Sequence, residues 1–178
     1  VEFAQVFRRF GCQVTLIQGG EQLMPREDAD VAQAIQEVLE GEGVEVLLTS
    51  KATRAQYIDG QVHLTLLHDG DSKVVKGSHL LVATGRRPNS KQLNLKAAGI
   101  TCNGRGFIEV NDYCETGVEG VYALGDVNGQ GAFTHTAVND AEIVLDHMFG
   151  GNRKISSRIP IYGLFTDPPL GRVGLTEK

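Results

Sequence analysis

Apolar and polar positions change their spacing several times along the chain, and each change predicts an element. Phe3, Val6, Phe7 and Phe10 recur at helical spacing, with Gly11 as a stop. That helix has no cap or turn ahead of it, so its start is expected to lie before Val1. QVTLIQ (13–18) is a short β-branched run of the fully buried type, and VEVLL (44–48) is a second. Between them, a turn-rich loop (19–28) leads to a helix predicted over Asp30–Glu42. Val31, Ile35, Val38 and Leu39 share one face of it, Asp28 or Asp30 can cap it, and Gly43 closes it. Strand, helix and strand with short connections predict an α/β fold with a doubly wound parallel sheet.

The period then shifts to two. KATRAQYI (51–58), QVHLTLL (61–67) and SKVVK (72–76) are separated by Asp59-Gly60 and Asp69-Gly70, both strong hairpin signals. They predict an antiparallel β-meander, after which HLLVATG (79–85) reads as a returning buried strand. Beyond Pro88 come a helical turn at Asn94–Ala98 closed by Gly99, and short strands at FIEV (107–110) and VYAL (121–124). A long helix is predicted from Thr134 to Phe149, with Ala137, Val138, Ala141, Val144, Leu145 and Met148 turned inward. The segment from Ile159 opens as something new, so the expected pieces are 1–85, 86–156 and 157–178.

Composition narrows the function classes. A formal charge of −5 lacks the basic footprint that nucleic acid demands. No apolar run approaches the ~20 residues of a membrane span, and the opening residues do not read as a signal peptide. Cys12, Cys102 and Cys114 form no CxxC pair and no metal-type spacing, so no metal site is expected. An odd cysteine count without a secretion signal suggests a reducing cytoplasm.

The candidate chemistry lies at VYALGDVNG (121–129). Open α/β sheets bind ligands at the carboxyl ends of their strands, where Asp126 would sit. An ionised carboxylate only accepts hydrogen bonds, which suits a ligand rich in hydroxyls. Taken alone, Gly125-Asp126 is also ordinary turn chemistry.

ATGRRPN (83–89), VYALGDVNG and LFTDPPLGRVGLTE (164–177), in this order and spacing, resemble the flavoprotein disulfide reductases. This is the family of dihydrolipoamide dehydrogenase, glutathione reductase and mercuric reductase, and the last motif looks closest to the mercuric-reductase-like branch. The resemblance implies the middle of a longer enzyme. Residues 1–85 would be an NAD(P)-binding domain without its first strand and G-x-G-x-x-G, so that QVTLIQ and HLLVATG lack the strand between them. Residues 86–156 would be the second part of an FAD-binding domain, and 157–178 the start of an interface domain.

By the same resemblance, Asp126 bonds a ribityl hydroxyl of FAD and Gly125 lets the cofactor pass close. Thr134 and His135 face the flavin pyrimidine oxygen from a helix N-terminus. Glu2 approaches the nicotinamide, and Ala83, Thr84 and Gly85 line the NAD(P) side. Gln18 stands where an acid would select NAD or a base NADP, so the choice stays open. The implied activity passes electrons from NAD(P)H through flavin to a cysteine pair. The acceptor would be a disulfide or a metal ion such as mercuric ion, and the enzyme a cytoplasmic homodimer. The redox cysteines and the catalytic His-Glu pair of the family fall outside this chain, so no catalytic residue is assigned. A flavin NAD(P)H oxidase or ferredoxin-reductase-like enzyme without the cysteine pair, and a non-catalytic nucleotide-binding module, are the alternative readings.

Overall fold

The structure, a computed structural model, describes residues 1–177. The chain forms two compact units, one of residues 1–82 joined by the segment from Pro160, the other Ala83–Ile159.

In the first unit, α1 (Glu2–Arg9) leads to β1 (Thr15–Ile17), α2 (Ala29–Gly41) and β2 (Glu45–Leu47). β1 and β2 pair in parallel, from Thr15 opposite Glu45 to Ile17 opposite Leu47, as expected of a strand–helix–strand unit. Ile35 and Leu39 of α2 pack with Ala4, Leu23 and Val44 in the core of this layer. Asp28 occupies the N-cap of α2 without a side-chain capping bond. Its carboxylate instead accepts the Glu177 N–H at 3.0 Å.

β3 (Ser50–Ile58), β4 (Gln61–His68) and β5 (Asp71–Gly77) form the antiparallel meander in that order. Both turns have positive φ at both central positions, +50° and +79° at Asp59-Gly60, +50° and +91° at Asp69-Gly70. Only this hand matches the twist of the flanking strands, which is why Asp-Gly marks them. Leu64 and Leu66 on one face of β4 are buried with Leu47, which joins the meander to the parallel pair. β6 (Ile161–Leu164) and β7 (Leu170–Val173) form a hairpin that sets Leu164 and Leu170 against the α2 core.

Two expectations are corrected here. The parallel part of the described chain is a two-stranded sheet, β1 and β2, and HLLVATG is not a strand. Among the described residues no strand pairs with 79–85, and without a neighbouring backbone row the apolar run stays exposed, Val82 at 68%. On α1 the buried residues are Ala4 and Gln5, while Phe3, Val6, Phe7 and Phe10 lie outside. The Gln5 amide decides that rotation: it donates to Glu42 and to the Asp167 carbonyl, and accepts the Asp167 N–H, each at 2.8 Å. Arg9 adds bonds to Glu42 and Asp167, and its guanidinium is the main reason the Glu42 carboxyl is held below its usual range. Arg9 and Asp167 are exposed and Glu42 is partly so, and these charges orient the contact more than they stabilise it.

The second unit has little regular structure besides α3 (Thr134–Met148). Short 3-10 turns occur at Asn89–Leu93, Leu95–Ala98, Gly125–Asn128 and Ile155–Ser157. The strands expected at 107–110 and 121–124 reduce to single antiparallel bridges, Cys102 with Ile108 and Glu115 with Tyr122. Cys114, Ile143 and Val144 form the core, with Tyr122, Leu124 and Ile155 against it. α3 therefore turns differently from expectation. Thr136, Asp140, Ile143 and Val144 face inward, whereas Val138, Leu145 and Met148 are more than half exposed, at 55%, 56% and 58%.

Among the described residues no helix is long and apolar enough to cross a membrane, and no cluster of His, Cys, Asp or Glu could hold a metal ion.

Candidate functional site

The Gly125–Asn128 turn follows Leu124, whose backbone is extended, and ends at Gly129 in the left-handed region. Gly125 is itself left-handed, at φ +72°, and a Cβ there would stand 3.2 Å from the Ala137 methyl. Glycine is thus required by the backbone angle and by the approach of α3. Gly129 has φ +74°, and a Cβ there would come within 2.9 Å of the Phe107 ring.

What holds the turn is Asp140, fully buried on α3. Gly125 N–H donates to its Oδ2 at 2.8 Å, and Asn128 Nδ2 donates to the same oxygen at 2.9 Å. Asn128 Nδ2 also donates to the Ala123 carbonyl at 3.0 Å, and its Oδ1 accepts the Gln130 N–H at 2.9 Å. On the other side of Asp140, Arg158 Nη2 donates to Oδ1, and Arg158 Nε donates to Asn139 Oδ1 at 2.7 Å. One buried carboxylate thereby ties the start of the turn, its end and a distant arginine to one helix.

Asp126 is the residue this turn presents. Its carboxylate is 44% exposed and pairs with Arg86 of ATGRRPN at 2.8 Å. The pair is open to water, so it contributes little to stability and leaves the carboxylate lone pairs available to another donor. α3, packed on the same turn, begins without a side-chain cap on its first turn, and Thr134 and His135 are exposed there. A helix N-terminus carries about half a positive charge. A half-exposed acceptor beside the positive end of a helix fits a ligand that has hydroxyl donors at one part and an electron-rich edge at another. A flavin nucleotide has both.

The other expected residues lie elsewhere. Glu2 and Gln18 belong to the first unit. Glu2 Oε1 accepts the Phe165 N–H at 2.7 Å. Gln18 follows β1 with its main chain bonded to Leu47 and Ser50, each at 2.9 Å. Ala83, Thr84 and Gly85 open the second unit as exposed, non-strand residues, with Gly85 at φ +110°. Of the cysteines, Cys12 and Cys102 are exposed, while Cys114 is buried. Burial, more than the neighbouring Asp140, pushes the Cys114 thiol up to about 12, so it is an inert thiol at neutral pH.

Sequence reasoning did not single out Arg86, Asn128, Asp140 or Arg158. The signal for Asp140 was its place at the i+4 spacing after Thr136, on the same helical face as Ile143 and Val144. A carboxylate in such a row is either solvated or paired, and here it is paired.

Comparison with known proteins now identifies the chain's relatives. The profile of the pyridine nucleotide-disulphide oxidoreductase family matches residues 1–141. The chain is 36% identical to the probable pyridine nucleotide-disulfide oxidoreductase RclA of Escherichia coli, over 100% of this chain and 40% of that protein. It is 32% identical to the mercuric reductase of Lysinibacillus sphaericus, over 100% of this chain and 33% of that protein. The solved Cu(II) complex of the HOCl-induced flavoprotein disulfide reductase RclA from Escherichia coli superposes with a TM-score of 0.89 at 34% identity, covering 98% of this chain and 39% of that one. The chain thus spans 40% or less of the length of these relatives, and with the geometry already described it belongs to the pyridine nucleotide-disulphide oxidoreductase family.

Proposed function

We propose that the full-length gene product is an FAD-dependent NAD(P)H oxidoreductase, and that Asp126 and the N-terminus of α3 are part of its flavin site. The observation that carries this reading is the half-exposed Asp126 carboxylate, presented by a braced turn against which the N-terminal part of α3 packs, in a chain of this family. In this reading residues 1–85 bind NAD(P), 86–156 complete an FAD domain, and 157–178 begin a dimer interface.

Bound FAD would supply the step that accepts a hydride and passes electrons on. The chain's own part is to bind and orient. Asp126, acceptor-only, accepts a hydrogen bond from a ribityl hydroxyl, while Arg86 pairs with the same carboxylate at 2.8 Å and directs it. The first-turn amides of α3 at Thr134 and His135 oppose negative charge near the flavin pyrimidine edge. Gly125 serves by allowing the turn, with α3 against it. Glu2, Gln18, Ala83, Thr84 and Gly85 form the NAD(P) side. Gln18 neither repels a 2′-phosphate nor pairs with it, so NADH and NADPH are both accepted. The electrons leave to a disulfide or a metal ion, in a cytoplasmic homodimer.

The test is Asp126→Ala in the full-length gene product. Losing a charge-assisted hydrogen bond of roughly 1.5–3 kcal/mol should lower flavin retention during purification while the protein stays folded. Unchanged flavin content and affinity would refute the assignment.

A further inference from the structure

The buried carboxylate of Asp140 has no part in the reading above, yet it touches the turn that presents Asp126 at both ends. Its Oδ2 accepts from the Gly125 N–H at 2.8 Å and from Asn128 Nδ2 at 2.9 Å. Its side chain has no exposed surface, and the Arg158 side chain that pairs with it is only 15% exposed. Burying such a pair costs several kcal/mol of desolvation per ion, and an apolar pair of like volume commonly holds two elements together as well or better. The pair is not even fully satisfied, since Arg158 Nη1 is buried without a hydrogen-bond partner among the described residues. Packing α3 on the loop does not account for it.

What an apolar residue could not do is bond a main-chain N–H and a side-chain amide at the same oxygen. Those two donors lie at the first and last residues of the Gly125–Asn128 turn, and Asp126 lies between them. With both ends tied to a helix, the direction of the Asp126 carboxylate follows from α3. The N-terminus of that same helix is the other proposed contact. Arg158 completes the device: it pairs with Asp140 and, through Nε to Asn139 Oδ1 at 2.7 Å, bonds the neighbouring residue of the helix.

We infer that Asp140, paired with Arg158, is a positioning residue that sets Asp126 and the start of α3 in one fixed relation for flavin binding. The inference rests on the flavin reading of Asp126 and extends it to a residue that does not touch the cofactor. If it holds, Asp140 acts on flavin affinity only through Asp126. A residue of merely structural importance would instead add its effect to that of Asp126.

The experiment uses the full-length gene product, stripped of flavin and titrated with FAD by fluorescence quenching. The variants are D126N, D140N and the double variant D126N/D140N. Melting of the flavin-free protein and hydrogen exchange at the Gly125 amide are recorded alongside. D140N should bind FAD about tenfold or more weakly and exchange the Gly125 amide faster. The double variant should bind within about twofold of D126N alone, the signature of two residues acting as one. Additive losses, with melting falling in step, would overturn the inference in favour of a structural role. D126N weakened but D140N unchanged would overturn the positioning role alone. D126N unchanged would overturn the flavin reading beneath it.

Should D140N not accumulate as folded protein, D140N/R158M serves instead. There the amide oxygen can still accept from Gly125 and Asn128, and the unmatched cation is gone. FAD affinity recovered to within a few-fold of the parent supports the role through the turn. Affinity left at the level of D126N despite a recovered melting temperature counts against it.

Discussion

In the β-meander of the first unit, main chain bonds main chain. β3 pairs with β4 and β4 with β5 over nearly their whole lengths, and the turns that set the register are adjacent Asp-Gly pairs. In the second unit, side chains repeatedly take that place. Asn103 Oδ1 accepts the N–H groups of Arg105 and Phe107, and Asn111 Oδ1 those of Tyr113 and Glu115. Asp146 Oδ2 accepts the Arg153 N–H, and Asp140 the Gly125 N–H fifteen positions before it. A ladder repeats one interaction many times, so losing a single side chain is shared among neighbours. A loop held by individual side chains has no such redundancy, but it can aim a carboxylate in a direction no strand would allow. The candidate site lies in the second kind of structure, as functional loops commonly do.

The comparison can be tested by substitution, and the largest effect is expected in the first unit. Leu39 is fully buried between α2 and its sheet, so Leu39→Ala should cost about 2–5 kcal/mol by denaturant unfolding. Flavin content per folded molecule should not change. A loss of flavin from protein that remains folded would show that the two regions are coupled more tightly than their separate cores imply.

Asn128→Ala is the counterpart in the second unit. It removes the donor to Asp140 and Ala123 and the acceptor of the Gln130 N–H, leaving buried groups unmatched, and should cost about 1–3 kcal/mol. Its specific readout is Cys114, which is buried against the Ile143–Val144 core. Alkylation of Cys114 should accelerate in this variant, whereas exposed Cys12 and Cys102 should react at unchanged rates. Equal acceleration at all three would mean that the turn is not a local device.

The smallest effects separate two glycines of similar backbone angle. Gly60→Ala places a methyl at φ +79° with nothing within 4 Å, so only the left-handed strain of about 1 kcal/mol applies. Gly129→Ala adds to a similar strain, at φ +74°, a methyl 2.9 Å from the Phe107 ring, and should cost about twice as much. Equal costs in thermal unfolding would remove the distinction drawn between a turn coded locally and one shaped by its surroundings.

Local pattern was enough for the parallel β1–α2–β2 unit, for all three strands of the meander and for the length of α3. Each of those depends on the period of apolar residues or on an adjacent turn pair, and both are written within a few positions. The contiguous Gly-Asp pair of VYALGDVNG brought Asp126 forward as a candidate, and the structure places it, half-exposed, on a turn. Rotation of the helices was not legible. On α1 the spacing of Phe3, Val6, Phe7 and Phe10 marks a helix and not its rotation, and Gln5 faces inward because its amide meets Asp167, a residue 162 positions away. On α3 the longer apolar stripe lies outside because Asp140 finds Gly125, Asn128 and Arg158 only in the folded chain. HLLVATG has the composition of a buried strand, but a strand also requires a neighbour, and composition does not supply one. Short-range periodicity is a property of the chain itself. The partner that satisfies a buried amide or carboxylate is a property of the fold, and that partner decided which face of each helix turned in and how Asp126 is held.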